Sequence, residues 1–74
     1  MWIIIKEKIA SKYHDSFLLK VKKCLEISLA QRNGDKPLVI GKKVQENMVI
    51  GGTTYHIWFV KNQGDLIGII EIKK

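Results

Sequence analysis

Residues 38–51 read LVIGKKVQENMVIG, and this stretch decides the fold that the sequence predicts. Two short apolar runs, residues 38–40 and 48–50, flank a polar segment at 42–47. Strands favour β-branched residues, and a polar break between two such runs is typical of a β-hairpin. The stretch therefore predicts two strands, over residues 38–43 and 47–50, joined by a short turn.

Two further strands are predicted downstream, over residues 53–61 and 66–73. Gly51 and Gly52 supply the turn before the first of them, and the polar residues 62–65 separate the two. Residues 37–74 are thus expected to form a four-stranded β region.

Aromatic residues are concentrated in the third of these strands. Alternation places His56 and Trp58 on one face, with Tyr55, Ile57 and Phe59 on the other. One of the two faces must be core. Trp58 is interpreted first as a core or dimer contact, and a base-stacking platform is the alternative.

The first half of the chain is predicted to be a short strand at 2–6 followed by helical structure over 7–31. Apolar residues recur at every fourth position in a segment without Gly or Pro, which predicts one buried helix face. The helix is expected as one rod, or as two pieces broken near Asp15. Alternation at strand spacing within 17–29 keeps a strand-like arm as the alternative. The expected helix face consists of Ile9, Tyr13, Phe17, Leu18, Val21, Cys24, Leu25 and Leu29.

Length and composition predict a single small domain over residues 1–74. With 46% apolar and 27% charged residues the chain is typical of a globular protein, and its thin core favours a dimer. The only cysteine, Cys24, excludes an intramolecular disulfide and indicates a reducing, cytoplasmic location. The apolar run at 2–5 is too short for a signal peptide or a membrane span, so no membrane partner is expected.

The formal net charge is +6, and twelve of the thirteen basic residues are lysine. Such a balance is equally consistent with a polyanionic partner and with a lysine-solvated surface. His14, His56 and Cys24 are too few for a zinc site, and the carboxylates are scattered without a paired motif. No catalytic residue, metal or cofactor is therefore expected.

The stretch 38–51 resembles the opening hairpin of the carbon storage regulator family, small dimeric RNA-binding proteins whose first strands read L-I-L-T-R-K-x-G-E-x-L-x-I-G. Leu38, Lys43, Glu46, Ile50 and Gly51 match that pattern at the same spacing. The resemblance extends to about residue 70, through an Ile-Gly-Ile at 67–69. Residues 3–9 look similar to the family's fifth strand, which suggests a circularly permuted relative.

The resemblance implies an α+β, β-rich fold: a small antiparallel sheet or barrel-like sandwich of about five strands, with one helix in the N-terminal half, forming an intertwined homodimer. It implies an RNA-binding regulator that binds single-stranded GGA loops in messenger RNA and represses translation. The implied RNA-binding residues are Ile40, Gly41, Lys42 and Lys43 from one strand, with Ile5, Lys6 and Glu7 from another.

Two other functions remain open. The family's two signature arginines are lysines here, and lysine lacks the planar fork that recognises bases. This favours a protein-interaction module of the same fold, with a partner or antagonist protein. A non-specific nucleic-acid binder on a small β-barrel is the third hypothesis, and its affinity would fall steeply with salt.

Overall fold

The computed structural model describes residues 2–31 and 38–74. A strand comes first, two helices follow, and three strands complete the fold. One sheet with helices on one side makes a β-rich α+β fold, which confirms the predicted class. The elements are β1 Trp2–Ile5, α1 Glu7–Ala10, α2 Asp15–Gln31, β2 Lys43–Ile50, β3 Thr53–Lys61 and β4 Leu66–Lys73.

The strands form one sheet in the order β1-β4-β3-β2. The pairs β2–β3 and β3–β4 are antiparallel, whereas β1 runs parallel to β4. Within the described ranges β1 and β2 are the edges, so the sheet stays open. The predicted barrel-like sandwich of about five strands is therefore wrong. The intertwined dimer stays a prediction.

The predicted hairpin within residues 38–51 is not formed, because β2 is one continuous strand that pairs with β3 along its whole length. Burial alternates along β2, so polar residues that suggested a turn lie on its solvent side. The chain bends earlier, at Gly41, whose φ of 82° favours glycine. The described part of 37–74 therefore contains three strands and not the predicted four.

The turn between β2 and β3 consists of Gly51 and Gly52, where the sequence predicts it. Their φ angles are 59° and 82°, and positive φ at both central residues defines the type I′ turn that suits a two-residue hairpin. Residues 62–65 connect β3 to β4, as expected from their composition.

The helical segment is divided into α1 and α2, the second of the two helical arrangements expected from the sequence. His14 immediately precedes α2 and caps its N-terminus. Its carbonyl accepts the N–H of Leu18 at 3.0 Å, and its ring Nδ1 accepts the backbone N–H of Ser16 at 3.4 Å. A side-chain cap satisfies an N–H group that has no partner within the helix.

The core lies between α2 and one face of the sheet. At its border Phe17 stacks on Tyr13 with ring centroids 5.1 Å apart, and meets Tyr55 edge-on at 4.9 Å. Cys24 is half-buried and packs against the buried residues of the core. The buried residues are Ile9, Leu18, Val21, Leu25, Leu29, Met48, Ile50, Ile57, Phe59, Ile67, Ile69 and Ile72. The described helices cover one face of the sheet, and no helix of residues 2–31 and 38–74 lies on the opposite face.

Candidate functional site

The sheet face opposite the helices, called the open face below, brings polar and aromatic side chains from three strands together. The pairing register sets Trp58 beside Gln45 on one neighbour and Glu71 on the other, and His56 beside Asn47 and Lys73. Side chains of paired residues point to the same side of a sheet. The polar and aromatic residues considered on this face are Lys43, Gln45, Asn47, His56, Trp58, Glu71 and Lys73.

Trp58 is the centre of the open face. It is half-buried and lies outside the core, so its interpretation as a core residue is wrong, while its interpretation as a dimer contact stays a prediction. Lys43 Nζ and Lys73 Nζ each lie 5.7 Å from a Trp58 ring centroid, within the range of cation–π attraction. Glu71 pairs with both lysines, at 3.2 Å to Lys73 and 3.9 Å to Lys43. The indole is therefore framed by two cations and one anion.

A hydrogen-bonded cluster of Gln45, Asn47 and His56 lies next to Trp58. The His56 and Trp58 ring centroids are 6.3 Å apart. Asn47 Oδ1 lies 2.7 Å from His56 Nδ1 and also accepts the Gln45 amide, and Gln45 Nε2 lies 3.3 Å from the same ring nitrogen. Asn47 Oδ1 is therefore the acceptor that the other two side chains of the cluster share.

A groove of about 430 Å³ lies between the first helical turn and the end of β4. Lys8 and Lys12 line it from the helical side, and Lys43 and Lys73 from the sheet. Among the described residues that line the groove, Glu71 is the one carboxylate. Four ammonium groups against one carboxylate give the groove a positive potential that attracts anions.

Tyr13 helps to form this groove. Its hydroxyl donates a hydrogen bond to the carbonyl of Ile72, at 3.2 Å. The pairing of β1 with β4 stops at Ile5 and Ile69, so this carbonyl belongs to the part of β4 beyond β1. The tyrosine therefore ties the helical side of the groove to the sheet side.

The first predicted group of binding residues lies at the start of β2. Ile40 forms a parallel bridge with Lys61, and the Gly41 N–H donates to the Lys61 carbonyl at 3.0 Å. Lys42 is exposed, and Lys43 is the first residue of the strand. Of these four, Lys43 contacts Trp58 and lines the groove.

The second predicted group lies where β1 passes into α1. Ile5 is half-buried against the core, while Lys6 and Glu7 are exposed. The Lys6 carbonyl accepts the N–H groups of Ile9 and Ala10, at 2.9 and 3.0 Å. Since β4 and β3 separate β1 from β2, the two predicted groups are about 14 Å apart across three strand spacings. Their convergence across two protomers stays a prediction.

The sequence reasoning missed Gln45, Asn47, Glu71 and Lys73 as site residues. The signal that could have found the first two is their alternation with Val44, Glu46 and Met48, which is typical of a strand exposed on one side. Glu71 and Lys73 join the site only through the β3–β4 register, which no local pattern reveals.

Two kinds of site are not found in the described part of the chain. Residues 2–31 and 38–74 contain no group of three His, Cys, Asp or Glu side chains placed to hold a metal ion. No helix in these ranges is long and apolar enough to cross a membrane.

Comparison with known proteins gives no relative for this chain: no family model matches it, and no curated protein or solved structure is significantly similar.

Proposed function

We propose that this protein binds single-stranded RNA on its open face and acts on messenger RNA by occupancy, without catalysis. The observation that carries the proposal is Trp58, a tryptophan on the uncovered side of the sheet between the ammonium groups of Lys43 and Lys73. An aromatic ring on a sheet face can stack on an unpaired base, which contributes about 1–3 kcal/mol per base. The adjacent ammonium groups are suited to the phosphates that flank such a base.

The basic groove extends this surface. Lys43 and Lys73 belong to both the Trp58 environment and the groove, while Lys8 and Lys12 continue the positive charge toward the first helix. A strand whose base stacks on Trp58 therefore finds cations along its backbone. Single strands fit this arrangement better than duplexes, because a duplex keeps its bases stacked on one another.

RNA as the nucleic acid, and translation as the process, are suggested by the resemblance to the carbon storage regulators. That resemblance also supplies the first probe, a short RNA hairpin with GGA in its loop. The matched probe is the same hairpin with the loop scrambled, and a DNA hairpin of the first sequence tests the contribution of the 2′-hydroxyl.

The test is a binding titration at physiological salt with the intact chain and three variants. We expect Trp58→Leu to weaken RNA binding about 5- to 150-fold, the equivalent of one lost stacking contact. Lys43→Gln should weaken binding by a smaller factor. Lys23→Gln removes the same charge from an exposed position of α2, on the other side of the molecule, and should leave binding unchanged.

Each outcome has a defined meaning. Binding that is lost in Trp58→Leu and retained in Lys23→Gln supports the open face as the RNA site. Equal losses in Lys23→Gln and Lys43→Gln would point to charge-driven binding all over the surface. Absence of binding to every probe would overturn the proposal.

A protein partner is the second candidate, and the observation that favours it is an exposed apolar area on β1. Trp2 is 75% exposed and Ile4 is 47% exposed, and β1 has an unpaired edge among the described strands. Solvent-exposed large apolar side chains beside a free strand edge suit protein contacts. Under this alternative Trp2→Ser would abolish binding to the partner, whereas under the RNA proposal it leaves the RNA titration unchanged.

A further inference from the structure

We infer that the basic groove and Trp58 together form a site for a free nucleoside polyphosphate, whose base stacks on the indole while its phosphates lie among the lysines. This site requires no RNA and therefore goes beyond the proposed function, because it gives the protein a small-molecule ligand. It also provides a means of regulation, since a nucleotide bound there occupies the surface on which RNA is proposed to bind.

The size and lining of the groove suit one small molecule. Its volume of about 430 Å³ falls within the roughly 300–1,000 Å³ that is usual for ligand sites. Ile9, Ile70 and Ile72 contribute apolar lining beside the lysines. Ligand sites commonly combine apolar walls with a few polar groups. The carbon atoms of a ribose can cover such a lining, whereas a lone phosphate ion would leave it uncovered.

Lysines stand on both sides of the groove. Lys8 and Lys12 line it from the helical side, and Lys43 and Lys73 from the sheet. Lys12 Nζ lies 5.8 Å from the centroid of the Tyr13 ring, which lines the same groove, so cation–π attraction favours this position of the ammonium group. Each ammonium group has three donors and a flexible stem. Several lysines can therefore share a chain of phosphates, which carries negative charge along its whole length.

Trp58 adjoins the groove through the two lysines of the sheet side. Lys43 and Lys73 line the groove, and the Nζ of each lies 5.7 Å from a Trp58 ring centroid. One sugar separates the base of a nucleotide from its phosphates, so a phosphate bound by either lysine leaves the base within reach of the indole. Stacking tolerates any base, because every base has a π-face. The site is therefore assigned to nucleotides as a class.

A β-bulge lies in the wall of the groove. The β3–β4 register shifts between Trp58 and Phe59, which pair with Glu71 and Ile69, so that Ile70 has no partner in it. Bulges bend a strand and re-aim its side chains, and they are over-represented next to active sites. Because Ile70 also lines the groove, the irregularity of the sheet coincides with the inferred ligand site.

The test is a fluorescence titration of Trp2→Phe, a variant in which Trp58 is the single tryptophan. The ligands are ATP, inorganic triphosphate and adenosine, in magnesium-free buffer at constant ionic strength. We expect ATP to quench the Trp58 fluorescence and to bind about 5- to 150-fold more tightly than triphosphate, the equivalent of one stacking contact. Triphosphate should displace ATP without quenching, and adenosine should bind more weakly than ATP.

Three substitutions in the original chain, measured by calorimetry, assign the binding to residues. Trp58→Leu should lower the affinity for ATP to that for triphosphate, and its retained triphosphate binding shows that the variant is folded. Lys12→Gln should weaken the binding of both ligands about fivefold. Lys23→Gln is the matched control, because it removes the same charge from an exposed position of α2 outside the groove, and it should change neither affinity.

The outcomes separate this inference from the proposed function. Equal affinity for ATP and triphosphate, or equal losses in Lys12→Gln and Lys23→Gln, would overturn the nucleotide site. ATP binding without RNA binding would support the site and overturn the proposed function, and RNA binding without ATP binding would do the reverse. Where both ligands bind, ATP should displace RNA, and binding of both at once would contradict a shared surface.

Discussion

At the scale of single residues, Glu71 is the group that opposes nucleic-acid binding on the open face. Its carboxylate pairs with Lys73 and Lys43, the two lysines beside Trp58, and all three side chains are at least a third exposed. Such exposed ion pairs contribute about 0–1 kcal/mol to stability. Glu71 therefore matters more as a competitor of phosphate for the lysines than as a stabilising contact.

We predict that Glu71→Gln tightens RNA binding roughly two- to fivefold, because Lys43 and Lys73 no longer have to break an ion pair with a carboxylate before they bind phosphate. The Tm should change little. Titrations of both proteins at the same salt concentration, with a thermal melt of each, measure these effects. Glu26→Gln makes the same charge change on the exposed side of α2 and serves as the control. Equal effects of the two substitutions would contradict the role assigned to Glu71.

At the scale of elements, the β2–β3 hairpin depends on the backbone conformation of Gly51. Its φ is 59°, and a Cβ added there would meet no atom within 4 Å, so the conformation is the only constraint on a substitution. We predict that Gly51→Val lowers the free energy of unfolding by about 1–2 kcal/mol, because a β-branched residue is strained at positive φ. Gly51→Asn should change it little, since asparagine suits type I′ turns.

Urea denaturation of the two variants and the original chain would measure this difference. Equal stability of Gly51→Val and Gly51→Asn would show that the turn adopts another conformation in solution.

Secondary structure was predictable where one face of an element is buried. The fourfold spacing from Ile9 to Leu29 identifies the helix face, and alternation separates Ile57 and Phe59, which are buried, from Trp58, although it does not show which face is core. The start of β2 was mispredicted because the strand is polar on its open side, so its apolar residues do not form a continuous run. The parallel pairing of β1 with β4 joins distant segments, and local sequence carries no information about it.

The site was less predictable than the secondary structure, because it also depends on how distant strands pair. His56 and Trp58 share a face by simple alternation, and Lys43 was identified through the family resemblance. Their meeting with Glu71 and Lys73 follows from strand order and register, which are properties of the assembled sheet.

At the scale of the whole molecule, the excess of lysine predicts strong dependence of RNA affinity on salt. If Lys8, Lys12, Lys43 and Lys73 each neutralise one phosphate, the logarithm of the association constant should fall against the logarithm of salt concentration with a slope of roughly −3. Lys43→Gln should reduce that slope to roughly −2. Titrations at four salt concentrations measure it. A slope near zero would indicate contacts that do not involve phosphates.

The parallel pairing of the first strand with the last also affects how the chain is made. Trp2 pairs with Leu66, near the opposite end of the sequence. On the ribosome β1 emerges before β4 and cannot pair with it until β4 has left the exit tunnel. Contacts this distant along the chain slow folding, since a large loop must close before they form. The nascent chain therefore carries an apolar strand that stays unpaired with β4 until the sheet is complete.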